Sequence, residues 1–325
     1  MFQTIIIPMT LGFAVFMSGM KLMEVALHQL AGPHLAKALQ SSTSTPVHGL
    51  VTGTAASAFL QSSTAVTVIT IGLVNARLLT FPRTLGIILG TNIGTCLTTE
   101  LIGLQLNRFA GPLMIASLGL WAVTALAGEM NVWPGLARFF GGRRLAVVRA
   151  AAVTSGGFGM LLAGLTFMQS IGPSVEQSGM FDWFLAKASG ELIWGLLAGA
   201  VLTAAVHSSA AVIGMVMGLA ALGSIPPDIS TAIVLGSNVG TCVTALLASV
   251  GGTKGGKFVA LSHLLLNAGG ALLFMPFVSE LSGAAGQLSS SPSGQIAHVQ
   301  TLFNVACSLL ALPVCYLPAL KRLDR

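Results

Sequence analysis

The sequence has 325 residues, of which 54% are hydrophobic and only 7% are charged, and its mean hydropathy is +0.87. Soluble domains carry about 25% charged residues, so this chain cannot cover a water-facing surface and we predict an integral membrane protein. The formal net charge of +6 does not indicate nucleic-acid binding, because basic residues in a membrane protein first report its orientation.

The apolar segments predict an all-α, polytopic fold, since a stretch of about 20 apolar residues can cross a bilayer. Two further apolar segments, 49–76 and 191–222, are interrupted by polar residues at their centres. Their halves of roughly 12 to 15 residues would be about 18 to 23 Å long, too short for the ~30 Å hydrocarbon core. Each is therefore predicted to be a re-entrant helical hairpin. Seven full crossings are predicted, at 5–30, 83–104, 109–128, 150–170, 229–250, 256–279 and 296–320.

The distribution of charge predicts the orientation. If the N-terminus lies outside, only Arg108 and Lys187 fall in outer loops, which agrees with the positive-inside rule. We therefore expect a multi-pass protein of the plasma (inner) membrane with a cytoplasmic C-terminus. The basic residues then on the inner side are Lys37, Arg77, Arg83, Arg138, Arg143, Arg144, Arg149, Lys254, Lys257, Lys321, Arg322 and Arg325.

The second half of the chain repeats part of the first. With a shift of 146 residues, Gly49–Thr98 aligns with Gly195–Thr244 without a gap, and by direct count about 18 of the 50 positions are identical. A match at one fixed spacing is typical of a duplicated unit. Three predicted crossings separate the copies, so the second copy should enter the membrane from the opposite side. Inverted repeats whose broken helices meet near the midplane are typical of secondary transporters.

Two short blocks account for most of this self-match. Gln61-Ser62-Ser63 aligns with His207-Ser208-Ser209, and Leu89–Thr98 aligns with Leu235–Thr244, each of the latter containing G-x-N-x-G-T. We predict a first inverted repeat over 1–128 with its hairpin at 49–76. A basic cytoplasmic linker over 129–149 and a second inverted repeat over 150–325, with the hairpin 191–222 and a C-terminal helix, would follow.

The doubled pairing of a QSS-type motif with a G-x-N-x-G-T segment resembles the type II sodium–phosphate cotransporter family, including its bacterial members. The likeness extends from Val15–Glu24 to the last helix, and Ala260–Asn267 and Ile296–Asn304 are similar to the family's His/Phe-Asn helices. The resemblance implies sodium-coupled transport of inorganic phosphate, an elevator-type mechanism and a homodimer in the lipid bilayer, with Na⁺ as coupling ion and no other cofactor. The hairpin residues expected to bind the substrate are Gln61, Ser62, Ser63, Thr64, His207, Ser208 and Ser209.

The chemistry of these hairpin residues suits a small oxyanion. The segments 49–76, 84–99, 191–222 and 229–244 contain no Lys or Arg, so an anion that loses its water there needs other donors. Ser62, Ser63 and Thr64 lie where the second half-helix should begin, with free N–H groups and the positive end of the helix dipole. Ser208 and Ser209 are placed in the same way in the second copy, which predicts two helix N-termini around one anion.

Two helix N-termini only partly balance a multiply charged anion, so bound cations are expected. Side-chain and carbonyl oxygens suit a hard cation such as Na⁺. A proton could replace Na⁺, and His207 is the titratable group that keeps this alternative open. The candidate cation ligands are Gln61, Thr91, Asn92, Thr95, Ser237, Asn238 and Thr241.

Several polar or small residues have structural interpretations. His207 fits three roles equally, namely a polar side chain with its hydrogen bonds made within the protein, a protonatable switch or a ligand. Lys21 and Glu24, three residues apart on a helix, are interpreted as a structural charge pair. We expect close helix packing at Gly90, Gly94, Gly236 and Gly240, and interhelical hydrogen bonds from His263, Asn267, His298 and Asn304.

The sequence also departs from the family pattern. His207 stands where the family has Gln, Ala210 replaces a third hydroxyl, and Phe109–Ser117 lacks a His/Phe-Asn motif. The aspartate that serves an additional sodium in animal members has no clear counterpart near 100–108, where Glu100 and Asn107 are the nearest polar groups. The cation stoichiometry and the anion itself are therefore left open.

Three rival functions are considered. An intramembrane hydrolase would need His207 and Ser208 to face each other, which adjacent helical residues do not do, so we do not expect an enzyme. A passive anion channel and a non-transporting scaffold are both compatible with the sequence and need an experiment to separate them from a carrier.

Overall fold

The computed structural model confirms the predicted all-α fold for the part of the chain that it describes, in which fourteen α-helices and no strand occur. The backbone is described for residues 2–128, 134–171, 174, 178–179, 182–318 and 320, and the description excludes the side chains of 2, 33, 127, 128 and 134–143. The helices are α1 Ile7–Ser42, α2 Pro46–Leu60, α3 Ser63–Asn75, α4 Phe81–Gly103, α5 Ala110–Gly128, α6 Pro134–Ser170, α7 Asp182–Gly190, α8 Ile193–Val206, α9 Ser209–Ala221, α10 Pro227–Gly240, α11 Cys242–Ser249, α12 Lys254–Phe274, α13 Val278–Leu288 and α14 Pro292–Ala311.

Seven helical stretches in the described residues are long and apolar enough to cross a membrane, which agrees in length and composition with the seven predicted crossings. The last-but-one stretch is longer than predicted because a short 3₁₀ turn, Met275–Phe277, joins α12 to α13. The stretches are Gln3–Gly32, Phe81–Gly103, Leu106–Leu126, Arg144–Ser170, Pro227–Ser249, Lys254–Leu288 and Pro292–Tyr316.

The orientation in the membrane stays a prediction. Several basic residues on which it rests lie outside the described residues or have undescribed side chains, namely Arg138, Arg143, Lys321, Arg322 and Arg325. Part of the predicted linker 129–149 lies outside the described residues as well.

The chain forms two compact units. Unit 1 contains 1–33 and 106–171. In it α5 packs on α6, and Gly19 approaches α6 so closely that a methyl group there would overlap the backbone of Gly157. Lys21 and Glu24 form the predicted pair, with 2.8 Å between Nζ and Oε2.

Unit 2 contains 34–105 and 172–325, and it holds both helices with polar interruptions. The units divide the chain by packing, whereas the predicted repeats divide it by sequence, and the repeat boundaries stay a prediction. In unit 2, α2 packs along α4, and α8 packs along α10. A methyl group at Gly90 would overlap the carbonyl oxygen of Leu50, and one at Gly236 would overlap that of Leu196.

The predicted close packing of the repeat glycines is therefore confirmed in both copies. Gly94 approaches the carbonyl of Thr54, and Gly240 approaches that of Ala200. These close glycine contacts allow α2 to pack directly against α4, and α8 to pack directly against α10. As a result, the ends of α2 and α8 occupy equivalent positions beside the G-x-N-x-G-T segments.

Candidate functional site

The first interrupted helix breaks at Gln61 and Ser62. α2 ends at Leu60, Gln61 adopts the left-handed conformation (φ 54°, ψ 27°), and Ser62 is extended (φ −150°, ψ 101°) before α3 begins at Ser63. The Ser62 hydroxyl accepts a hydrogen bond from the Ala65 N–H at 3.2 Å. Ser62 is therefore the N-cap that the sequence predicts at this helix start.

The second interrupted helix breaks in the same way at His207 and Ser208. His207 is left-handed (φ 58°, ψ 26°) and Ser208 is extended (φ −152°, ψ 110°). The Ser208 hydroxyl accepts a hydrogen bond from the Ala211 N–H at 3.3 Å, as Ser62 does from Ala65. The two breaks have the same backbone conformation and the same cap.

Left-handed residues mark the repeat throughout unit 2. Seven described residues have positive φ, and six of them form three pairs separated by 146 residues. Left-handed conformations cost free energy in residues other than glycine and cluster at functional sites. Two of the six residues lie at the breaks, which singles these positions out. The pairs are Gln61 with His207, Arg77 with Gly223, and Gln105 with Gly251.

Side chains from both copies hold the first break. The Gln61 amide nitrogen donates to the Ala58 carbonyl at 2.5 Å, and the Thr98 hydroxyl on α4 donates to the Gln61 amide oxygen at 2.7 Å. The Thr64 hydroxyl lies 3.5 Å from that of Thr244 on α11. Thr98 and Thr244 are equivalent in the repeat, so the same position of both copies contacts the first break.

The second break is less constrained at its left-handed residue. His207 is exposed, and no hydrogen bond of its ring is found within the described residues. Thr244, which corresponds to Thr98, donates to the Thr241 carbonyl one turn back at 2.8 Å. Ser209, by contrast, is buried, as Ser63 is at the first break.

Both half-helices that follow the breaks pack against the long helix α4. α3 packs against α4 and α11, and α9 packs against α10 and α4. α9 thus contacts the G-x-N-x-G-T helices of both copies, whereas α3 contacts that of its own copy and the helix α11, which directly follows the second G-x-N-x-G-T segment. Because every one of these elements belongs to unit 2, both capped N-termini are built into one body.

The two predicted asparagine ligands, Asn92 and Asn238, form hydrogen bonds with residues of helices α12 and α14. The Asn92 amide nitrogen donates to the Asn267 amide oxygen at 3.2 Å, so the Asn92 oxygen accepts from His263 Nε2 at 3.2 Å. The Asn238 oxygen accepts from the Asn304 amide nitrogen at 3.1 Å. These bonds confirm His263, Asn267 and Asn304 as interhelical hydrogen-bonding residues.

The four predicted hydroxyl ligands bond to their own helices. Each donates to a carbonyl one turn earlier, at 2.8 to 3.0 Å, and retains its lone pairs. They line α4 and the α10–α11 junction in corresponding positions, and their role as cation ligands stays a prediction. The residues are Thr91, Thr95, Ser237 and Thr241.

Two buried hydroxyls near the breaks have no hydrogen-bond partner within the described residues. Thr67 lies one turn after Ser63 on α3, and Thr203 lies one turn before His207 on α8. Their exposed fractions are 1% and 0%. Unpaired buried hydroxyls are rare in folded proteins, but the described residues contain others away from the breaks, at Thr154, Ser224 and Ser230, so a ligand at these two threonines stays a prediction.

Sequence reasoning assigned no role to Thr98, Thr244 or Glu100. The two threonines are identical in the repeat alignment, and that identity could have marked them. Glu100 has no such signal, because Leu246 is its counterpart. Its oxygen Oε1 accepts hydrogen bonds from His298 Nδ1 at 3.1 Å and from the Thr301 hydroxyl at 2.5 Å, which also confirms His298 as an interhelical hydrogen-bonding residue.

Comparison with known proteins gives a consistent result. The chain is 33% identical to the "Uncharacterized protein YqeW" of Bacillus subtilis strain 168 over 310 residues, 95% of this chain and 94% of that protein. It is 25% identical over 301 residues to the "Putative inorganic phosphate export protein YjbB" of Escherichia coli K12. That match covers 92% of this chain but 52% of YjbB, so the chain spans about half the length of this relative.

The YjbB protein of Salmonella typhimurium LT2 is similar to the same degree, at 25% identity over 307 residues, 94% of this chain and 53% of that protein. No solved structure matches the chain significantly. The family model for the Na⁺/Pi-cotransporter matches residues 15–170 and 160–289. The chain therefore belongs to the Na⁺/Pi-cotransporter family.

Proposed function

We propose that the protein is a secondary transporter that carries inorganic phosphate across a membrane with Na⁺ as the coupling ion. The observation that carries the proposal is the pair of helix breaks with matching backbone and matching serine caps, at Gln61-Ser62 and His207-Ser208. Phosphate is supported by the family and by the name of the YjbB relatives.

In this proposal the two broken helices are re-entrant hairpins of inverted repeats. α3 and α9 have 13 residues each, a length of about 20 Å that falls short of the ~30 Å hydrocarbon core. Three of the apolar stretches long enough to cross a membrane lie between the breaks. An odd number of crossings brings the second hairpin in from the opposite side, as in other transporters with inverted repeats.

The anion binds between the N-termini of α3 and α9. Backbone N–H groups and hydroxyls of Ser62, Ser63, Ser208 and Ser209 donate to its oxygens, and the two helix dipoles stabilise its charge. The unpaired hydroxyls of Thr67 and Thr203 provide further donors one turn away. Na⁺ binds to nearby oxygens and neutralises the remaining charge, so the anion binds well only together with the cation.

An elevator mechanism is consistent with the division of the chain. All candidate ligands belong to unit 2, as expected if one body carries the complete site. We further propose that unit 1 provides the stationary part and the contact with a second copy in a homodimer. A multi-pass location in the plasma (inner) membrane with a cytoplasmic C-terminus completes the proposal.

The test is uptake of ³²P-phosphate by proteoliposomes that contain the purified protein, under imposed gradients of Na⁺, K⁺ or protons. The proposal predicts uptake driven by an inward Na⁺ gradient and counterflow of labelled against unlabelled phosphate. Flux that needs no gradient and shows no counterflow would identify a channel. Uptake driven only by protons would replace Na⁺ as the coupling ion, and the absence of any flux would reject transport.

A further inference from the structure

A groove lies along α6 in unit 1, between α1 and α5. On one side, a methyl group at Gly19 of α1 would overlap the backbone of Gly157. On the other side, the Ser117 hydroxyl of α5 donates to the Ala152 carbonyl at 2.9 Å. Two cavities, of about 530 and 450 Å³, lie in this groove and form one continuous space, since one residue of each helix lines both. These residues are Leu22, Trp121 and Val153.

The two cavities differ in chemistry. Arg149 and Gln29 are among the residues that line the larger one, which we call the polar cavity. The described residues that line the other, the apolar cavity, are hydrophobic or glycine except for Ser117, whose hydroxyl is bonded to Ala152. Met160, in the apolar cavity, follows Arg149 by 11 residues, about 16 Å of helix rise. That length is about half of the ~30 Å hydrocarbon core, the depth of one leaflet.

Arg149 is held at the polar end of the groove. Its Nη2 donates to the Thr124 carbonyl of α5 at 3.1 Å, and the side chain is partly buried. The orientation predicted from the charges places Arg149 on the inner side of the membrane. Basic pockets between membrane helices on that side bind lipid head groups, and the N–H groups of a guanidinium match the oxygens of a phosphate.

We propose that the groove is a binding site for an anionic phospholipid. Its head-group phosphate binds Arg149, and one acyl chain lies along Leu22, Trp121 and Val153 in the apolar cavity. Leu22 and Trp121 are exposed, so the groove is open to lipid along its length. The site belongs to unit 1 alone and does not depend on the proposed phosphate site in unit 2.

The charge in the groove favours a lipid over a second copy of the chain. A dimer with its two-fold axis perpendicular to the membrane uses the same patch of both copies, with equivalent residues at the same depth. An interface over the groove would therefore bring two Arg149 side chains together, and like charges repel. A lipid phosphate has the opposite charge. The homodimer contact proposed for unit 1 would then use another face.

The test is quenching of tryptophan fluorescence by phospholipids with brominated acyl chains, added to the purified full-length chain in detergent. Subtraction of the signal of Trp121→Phe isolates Trp121 from the other three tryptophans. In wild type, phosphatidylglycerol should quench Trp121 with a Kd about fivefold lower than that of phosphatidylcholine. This is the preference expected for one basic residue near an anionic lipid surface.

Variants of the groove separate charge from shape. Arg149→Gln should bind both lipids with the weaker Kd, whereas Arg149→Lys keeps the charge and should retain most of the preference. Val153→Phe adds bulk where the cavities join and should weaken binding of both lipids. The matched control is Arg144→Gln, which removes an exposed charge of α6 that is not among the residues lining the cavities and should behave as wild type.

Equal affinity of wild type for the two lipids, or the full preference in Arg149→Gln, overturns the proposal. Absence of quenching of Trp121 by either lipid overturns it as well and would indicate that a second copy covers the groove. If Arg149→Gln does not fold, the wild-type preference and the weaker binding by Val153→Phe decide. None of these measurements needs phosphate, so the transport proposal and this one can fail separately.

Discussion

The two helix breaks have the same backbone and different side-chain support. Gln61 and His207 differ by only a few degrees in φ and ψ, and Ser62 and Ser208 cap the following helices alike. Gln61 is held by Thr98, whereas His207 is exposed. The difference teaches that the cap and the close helix packing determine the break, while the left-handed residue can diverge where no neighbour binds it.

The largest effect should come from the helix packing that both copies share. Gly90→Ala and Gly236→Ala each place a methyl group on a carbonyl oxygen of the facing helix, Leu50 or Leu196. Overpacking of this kind costs about 1–3 kcal/mol or more, so both variants should unfold at markedly lower temperature in detergent. Gly269→Ala is the control, since a methyl group there meets no atom within 4 Å. Loss of stability in only one of the two variants would show that the helix packing is not equivalent in the two copies.

The next effect should distinguish the two breaks. Thr98→Val removes the hydrogen bond to Gln61, and phosphate affinity should fall by about tenfold, since a hydrogen bond lost at a polar site costs about 1–1.5 kcal/mol. Thr244→Val, at the equivalent position, leaves His207 as it is and removes only a bond within its own helix and the long, 3.5 Å contact with the Thr64 hydroxyl, so its effect should be smaller. Equal effects of the two variants on the phosphate Kd would show that the support is symmetric after all.

The smallest effect concerns the left-handed residues themselves. Glycine adopts positive φ without strain, so His207→Gly should stabilise the protein by about 0.5–1 kcal/mol. Gln61→Gly gains the same relief but loses the bond to Thr98, and its net change should be zero or destabilising. Chemical denaturation of the two variants measures the difference. Stabilisation by Gln61→Gly equal to that by His207→Gly would mean that the Thr98 bond contributes nothing.

Much of the fold could be predicted from the sequence because lipid restricts the possibilities. Apolar length alone places six of the seven candidate spans within about six residues, and the exception, 256–279, continues to Leu288. Four consecutive polar residues from Gln61 to Thr64 locate the first break. The cap at Ser62 also follows from local chemistry. Glycines at equivalent positions predict close packing, but the carbonyls of Leu50 and Leu196 that they meet depend on helix rotation, which local patterns do not specify.

The side-chain partners within the site were harder to predict. Asn92 was expected to face a cation, and the structure shows that His263 and Asn267 bind it. Such pairings join residues more than 170 positions apart, and they depend on how α12 lies against α4. Glu100 was noted only as a polar group near a missing aspartate, because its pairing with His298 is a contact between distant segments.

The most direct test of the two-terminus site is equilibrium binding of ³²P-phosphate in Na⁺ buffer to wild type, Ser62→Ala and Ser208→Ala. Ser291→Ala is the matched control, because Ser291 caps α14 away from both breaks with the same bond, from the Gly294 N–H at 3.1 Å. We predict that both break variants weaken binding by similar factors, about 10- to 100-fold for a hydrogen bond to a charged group, while Ser291→Ala binds as wild type. Wild-type affinity in both break variants would contradict the proposal that these helix ends bind the anion.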